Sequence, residues 1–157
     1  MERTNYQASN CSIARTLEVL GEKWTFLIIR ESFYGATRFA QFHRVLQCPR
    51  NLLSERLGLL VDEGILERVE YREPGRRARM EYRMTDRGRE LMHIMLALQQ
   101  WGDHYKADPA GPPVIARHAG CGKELEVTFT CADGHTVTSP EQVDLVAGPG
   151  ALPPLAA

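Results

Sequence analysis

Arg50, Asn51, Ser54 and Glu55 are residue types that can reach base edges or phosphates from a helix lying in a DNA major groove. Their spacing puts them on one side of such a helix. Further along, Arg72, Arg76, Arg77 and Arg79 crowd a Pro-Gly turn. Arginine there can clamp phosphates or read a narrow minor groove electrostatically. Lys23 and Arg38, each at the start of an expected helix, add candidate phosphate contacts. The bland counterparts are a solvated helix face for the first set and a solubilising turn for the second.

Thiols and histidines offer a second chemistry. Cys11 stands at an expected helix start, where the partial positive charge of the helix end lowers a thiol pKa, and Arg15 lies one turn on. Such a thiol suits redox or electrophile sensing. The alternative is a small filler at a packed contact. His118, Cys121, Cys131 and His135 have short spacings within each pair and soft donors suited to zinc. Strand alternation, however, turns Cys131 inward, and His135 also fits a simple turn. No metal is therefore assigned, and these four stand only as zinc candidates. A Cys121–Cys131 disulfide is disfavoured in a reducing compartment.

Hydrophobic spacing supplies the elements that must position these groups. Ile13, Leu17 and Leu20 define a first helix ended by Gly21, and Trp24, Leu27, Ile28 and Glu31 a second that runs to Gly35. Trp24 is expected in the core. Phe39, Phe42 and Leu46 bury a short third helix. Pro49 fits the first turn of a fourth, whose inward stripe is Leu53, Leu57, Leu60 and Val61. The period then changes from 3.6 to 2. Val69 and Tyr71, and later Met80, Tyr82 and Met84, alternate with charged residues around the turn Glu73-Pro74-Gly75-Arg76. Thr85 is placed to cap one long last helix with the stripe Leu91, Met95, Leu98, Trp101 and Tyr105. Two helices followed by a basic hairpin spell a helix-turn-helix with a wing.

Composition changes beyond that helix. Seven of the nine prolines lie at or after Pro109. The tail holds a candidate hairpin, Leu125, Val127, Phe129 and Cys131 leading into Ala132-Asp133-Gly134, then a capped turn at Ser139-Pro140-Glu141-Gln142. The last dozen residues carry no pattern and are expected to be mobile. The expected division is 1–107 for DNA binding and dimerisation and 108–157 for a Pro-rich extension.

The 157 residues carry a formal net charge of -1, which on its face argues against a nucleic-acid binder. The average hides an asymmetry: residues 1–107 hold 17 Lys+Arg against 14 Asp+Glu, residues 108–157 hold 2 against 6. Local charge governs phosphate attraction. No long apolar run implies a membrane span, and MERTNYQASN lacks the basic start and apolar core of a secretory signal. Cytoplasmic, nucleoid-associated residence with reduced thiols is expected. No Walker loop, Rossmann glycine pattern, nucleophile elbow or HExxH occurs, so neither an enzyme nor a cofactor is expected.

CSIARTLEVLGEKWTFLIIRE, Gly35, Arg38-Phe39, LLSERLGLL, DEGILERVEY, EYRMTDRG and Trp101 occur in an order that resembles the HxlR family of bacterial winged-helix regulators, over residues 11–105. The resemblance implies a mainly α fold with a small β wing and a homodimer built on the first and last helices. It also implies an inverted-repeat operator and, in some members, a sensing cysteine where Cys11 stands. Many members have Gly-Ile-Ser before the recognition helix where this chain has Gln47-Cys48-Pro49; an apolar residue elsewhere makes Cys48 a core residue. Longer members carry a His, a Cys and a later Cys-x-x-Cys, but Gly134 replaces the last cysteine here. Trp101 and Tyr105 are then expected in the dimer seam. The function expected is sequence-specific transcription regulation on double-stranded promoter DNA, with an oxidant, electrophile or small ligand as the candidate effector. The rival from another class is a winged helix used for protein–protein assembly.

Overall fold

The computed structural model describes residues 9–152. The elements are α1 (Ser12–Leu20), α2 (Lys23–Phe33), α3 (Phe39–Leu46), α4 (Arg50–Asp62), β1 (Leu66–Tyr71), β2 (Arg79–Met84), α5 (Asp86–Arg89), α6 (Met92–Tyr105), β3 (Phe129–Thr130) and β4 (Thr136–Val137). A 3-10 turn, Pro140–Gln142, carries the expected Ser139 capping box. The described residues form two compact units, 9–92 and 93–152, a division that does not coincide with the change of composition at 107/108. The patternless end and the N-terminal stretch fall partly outside the described residues.

In the first unit α2, α3 and α4 pack on one another around Ile28, Ile29, Phe42, Leu53, Leu57 and Leu60, all fully buried. Burying each such side chain contributes about 1.5–3 kcal/mol before entropy is set against it. The α4 stripe is thus the expected one, with Val61 only half-buried. Trp24 is also half-buried, not a core residue, and Lys23 Nζ lies 5.0 Å from its ring centroid. Cys48 is fully buried.

The ribbon corrects the sequence-based phase. β1 and β2 pair antiparallel from Leu66↔Met84 to Tyr71↔Arg79. In that register Val69 and Tyr71 share a face with Glu81, whereas Met80, Tyr82 and Met84 share the opposite face with Leu66, Arg68 and Glu70. The apolar sets therefore lie on different faces. Met80 is exposed and Glu81 buried, the reverse of the expectation. Tyr82 meets Phe42 edge-on at 6.5 Å, and its N–H donates to the Thr37 carbonyl at 2.7 Å, so the segment before α3 pairs with the ribbon's free edge. The Thr37 hydroxyl and Arg83 both donate to the Glu81 carboxylate, which is how that acid tolerates burial.

The expected long last helix is broken. Thr85 accepts from Gly88 N as expected, but its cap serves the four residues of α5. Leu91 N then donates to Gly88 O, an i→i−3 bond that tightens the chain out of α geometry before α6 begins. Gly88 is obligatory for packing: a Cβ there would lie 2.3 Å from the Ile65 carbonyl oxygen. In the second unit β3 and β4 form a minimal hairpin, shorter than its sequence pattern suggests.

Candidate nucleic-acid interface

The turn into α4 is built by an unusual residue. Gln47, the C-cap of α3, has φ 50°, the left-handed region that favours glycine, and its N–H donates to His43 O. Pro49 then acts as N-cap, one residue outside the first turn it was expected to open, and its carbonyl accepts from Leu53 N at 2.8 Å. α4 thereby presents Arg50, Asn51, Ser54 and Glu55, all exposed, on the side away from its buried leucines.

Two contacts fix that helix. Arg56 reaches Glu22 at 3.6 Å, and Glu22 also caps α2 by accepting from Trp24 N and Thr25 N. The Arg50 guanidinium lies 5.1 Å from the Phe39 ring centroid, and Phe39 stacks in turn on His43.

The wing is fastened at its base. Arg38 stands at the N-cap of α3, where Gln41 Oε1 accepts from Arg38 N at 2.8 Å. Its guanidinium lies 4.3 Å from the Tyr71 ring centroid and donates to Glu73 at 2.8 Å. The Glu73-Pro74-Gly75-Arg76 turn closes with Arg76 N on Glu73 O, and Gly75 has φ 73°, as a type II turn requires. Glu73 also pairs with Arg76 Nε at 3.6 Å.

Of the seven arginines between Arg72 and Arg89, Arg76, Arg83 and Arg89 are paired with Glu73, Glu81 and Asp86. Arg72, Arg77, Arg79 and Arg87 form no ion pair among the described residues. The sequence reading did not separate these groups. It also missed Arg44, exposed on α3 opposite the buried Phe42 and Leu46 and without an ion pair among the described residues. The signal for Arg44 was its position across the helix from that apolar face.

All four cysteines are free thiols. Cys11, half-buried, is the N-cap of α1 with no side-chain cap bond, and its carbonyl accepts from Arg15 N. Burial pushes the Cys48 thiol up, with the Glu22 charge adding and Arg56 opposing. Cys131 is exposed, not inward as strand alternation suggested, and hydrogen bonds from the backbone of His135 and Asp133 pull its thiol down. The zinc candidates separate. Cys131, Asp133 and His135 converge, whereas His118 Nδ1 accepts from Cys121 N and neither residue joins that group.

A buried-core helix pair, an outward polar face on its second helix and a basic two-stranded wing define a winged helix-turn-helix transcription regulator. The HxlR-like helix-turn-helix family matches residues 19–109, and the chain belongs to that family. An uncharacterised HTH-type transcriptional regulator of Mycobacterium tuberculosis is 43% identical over 140 residues, spanning 88% of this chain and 87% of the relative. The crystal structure of PA1607, a transcription-factor candidate, superposes with TM-score 0.79 at 31% identity, over 89% of this chain and 96% of that one. The redox regulator HypR in its reduced form gives TM-score 0.53 at 30% identity, over 59% of this chain and 90% of its own. Among the described residues no helix is long and apolar enough to cross a membrane.

Proposed function

We propose that this regulator binds an inverted-repeat operator in promoter DNA as a homodimer, inserting α4 in the major groove while the wing grips the adjacent backbone or minor groove. The observation that carries the reading is the outward face Arg50, Asn51, Ser54 and Glu55 beside a wing whose Arg72, Arg77 and Arg79 are not paired with acids among the described residues. Lys23, Arg38, Arg44 and Arg76 supplement the phosphate contacts, Arg38 and Arg76 after release from Glu73. Residues 1–107 form the DNA-binding and dimerisation part, and 108–157 an extension.

Dimerisation is supported by exposed apolar rows on two helices. Ile13 and Leu17 of α1 are 71% and 57% exposed, and Leu98, Trp101 and Tyr105 of α6 are 53%, 53% and 63% exposed. Two copies are required because the half-sites of an inverted repeat lie about one helical turn, roughly 34 Å, apart. The position of Cys11 at the start of α1, together with the likeness to HypR, favours a thiol that modulates the dimer; a non-covalent effector is the other form of signal.

The test is fluorescence anisotropy with the intergenic DNA upstream of the gene, read as a function of salt. Affinity should fall steeply as salt rises, because arginine–phosphate contacts release counterions. Arg50→Ala or Asn51→Ala should each cost about 1–3 kcal/mol on the operator, whereas Arg77→Ala weakens all sequences alike and flattens the salt slope. Salt-indifferent binding, or none, would transfer the fold to protein–protein assembly. Cys11→Ser should keep DNA affinity and lose release by peroxide; release that proceeds with Cys11 unmodified refutes the thiol switch.

A further inference from the structure

The β3–β4 turn is a tight device in an otherwise irregular extension. Gly134 N donates to Cys131 O at 2.9 Å, Cys131 N donates to His135 O at 3.0 Å, and Gly134 has φ 82°. This is a four-residue turn whose last residue is a left-handed glycine, the three-residue hairpin loop that closes with a bulge. It brings the side chains of Cys131 and His135 together, with Asp133 between them in the loop. The Cys131 Sγ to His135 Nδ1 distance is 3.5 Å, and the donor atoms of all three residues lie within 4.8 Å of one another.

From these distances we propose that Cys131, Asp133 and His135 form a binding site for zinc or a similar borderline-soft divalent ion. A Zn–S bond of about 2.3 Å and a Zn–N bond of about 2.05 Å meeting at a tetrahedral angle separate sulfur from nitrogen by about 3.6 Å. The pair therefore stands at ligating separation before any metal arrives. A carboxylate oxygen in the same sphere must come within about 3.5 Å of the sulfur, a closure of at most about 1.3 Å for the exposed Asp133 side chain. Thiolate, imidazole and carboxylate together select zinc or cobalt over magnesium or calcium, which take all-oxygen shells. On binding, the ion takes the place of the proton between Sγ and Nδ1. The thiol proton leaves to solvent, His135 ligates as neutral imidazole, and no electron is transferred.

Three protein ligands leave the fourth position to water. Sites of that kind stay open and exchangeable, unlike four-ligand structural sites. The ion would clip the two arms of a hairpin whose strands are two residues each, Phe129–Thr130 and Thr136–Val137, adding a cross-link that so short a ladder lacks. The site is independent of the DNA-binding reading, and its test uses no DNA.

The experiment adds Co²⁺ alone to the reduced full-length protein, follows visible and near-ultraviolet absorption, and then displaces the ion with Zn²⁺. The expected result is a tetrahedral cobalt spectrum with a thiolate charge-transfer band at one equivalent, lost on zinc addition. Cys131→Ser and His135→Ala should abolish the band and weaken zinc by more than about tenfold, as the loss of a ligand costs more than the loss of a supporting hydrogen bond. Asp133→Asn should keep the band but bind zinc more weakly. Cys11→Ser, Cys121→Ser and His118→Ala should leave both readouts unchanged. Zinc should also shield Cys131 of the wild-type chain from alkylation, which needs no variant that might misfold. Absence of the band, its survival in Cys131→Ser, unchanged zinc affinity in Asp133→Asn, or equal loss in His118→Ala or Cys121→Ser would each overturn the three-residue site.

Discussion

Glu73→Gln should tighten nonspecific DNA binding, because one carboxylate occupies two arginines that could otherwise meet phosphates. Arg38 donates to Glu73 at 2.8 Å and Arg76 lies 3.6 Å from its other oxygen. The side chains of Arg38, Glu73 and Arg76 are 42%, 39% and 64% exposed, so water and salt screen both pairs. Exposed pairs contribute about 0–1 kcal/mol each, which bounds what DNA must overcome to displace Glu73 at about 2 kcal/mol per wing. Removing the charge should therefore raise affinity for a random duplex by up to roughly tenfold to thirtyfold per wing. Each newly neutralised phosphate adds about 0.9 to the slope of log K against log salt, so two released arginines add nearly 2. The Arg38 stack on Tyr71, at 4.3 Å, remains and keeps the wing base in place. Anisotropy titrations between about 50 and 200 mM salt read both quantities. An unchanged slope with native circular dichroism would refute the view that Glu73 competes with DNA for these arginines.

Gly88→Ala should destabilise the fold by about 1–3 kcal/mol in denaturant titration, since its methyl would meet the Ile65 carbonyl at 2.3 Å; an unchanged midpoint would show that α5 shifts freely. Gln47→Gly should stabilise by about 0.5–1 kcal/mol, because relief of a left-handed residue outweighs the added entropy of the unfolded chain; a lower midpoint would mean the Gln47 side chain anchors the turn. In the folded protein, alkylation should reach Cys131 far sooner than Cys48. A thiol pulled down by backbone hydrogen bonds keeps its reactive thiolate to lower pH, and one pushed up by burial loses it sooner as pH falls. Peptide mapping after a brief pulse checks this, and early Cys48 labelling would contradict its burial.

Legibility in the sequence followed the range of the interaction. Helical stripes such as Leu53, Leu57 and Leu60 depend on spacing within one segment, and they appear as expected. The outward face of α4 follows from the same stripe by subtraction. The ribbon's phase depends on which residue of β1 opposes which of β2, and the pairing Val69↔Glu81 puts two apparently matching apolar sets on opposite faces. Alternation within each strand carries no information about that register. Which arginines are held by acids was equally hidden: Arg38 and Glu73 are 35 residues apart, and only the ribbon's docking brings them together. The break between α5 and α6 was masked because its residues, Arg89, Glu90 and Leu91, are ordinary helix formers, while the close approach of Gly88 to Ile65 beside it is a contact made across the fold. For the extension, short spacing suggested donors but not their grouping, since Asp133 joins Cys131 and His135 through turn geometry.

Positioning and contact are divided between different residues of the same module. Arg56 is spent on Glu22, and Arg38 on Gln41, Tyr71 and Glu73; these tie α4 to α2, and the wing to α3. Arg44, Arg72, Arg77 and Arg79 have no acid partner among the described residues and stand at the surface. The net charge of -1 does not describe this surface, because Arg72, Arg77 and Arg79 face no acid in an ion pair among the described residues while six of the twenty acids lie in residues 108–157. Glu73 is the exception that links the two roles. It holds the wing base through Arg38 while offsetting the charge of Arg76, so under the proposed docking the residue that orients the wing would also limit how strongly it holds an arbitrary sequence. Under the proposed docking, specific binding would suffer less from that limit, since base contacts from α4 would add to the total only at the correct site.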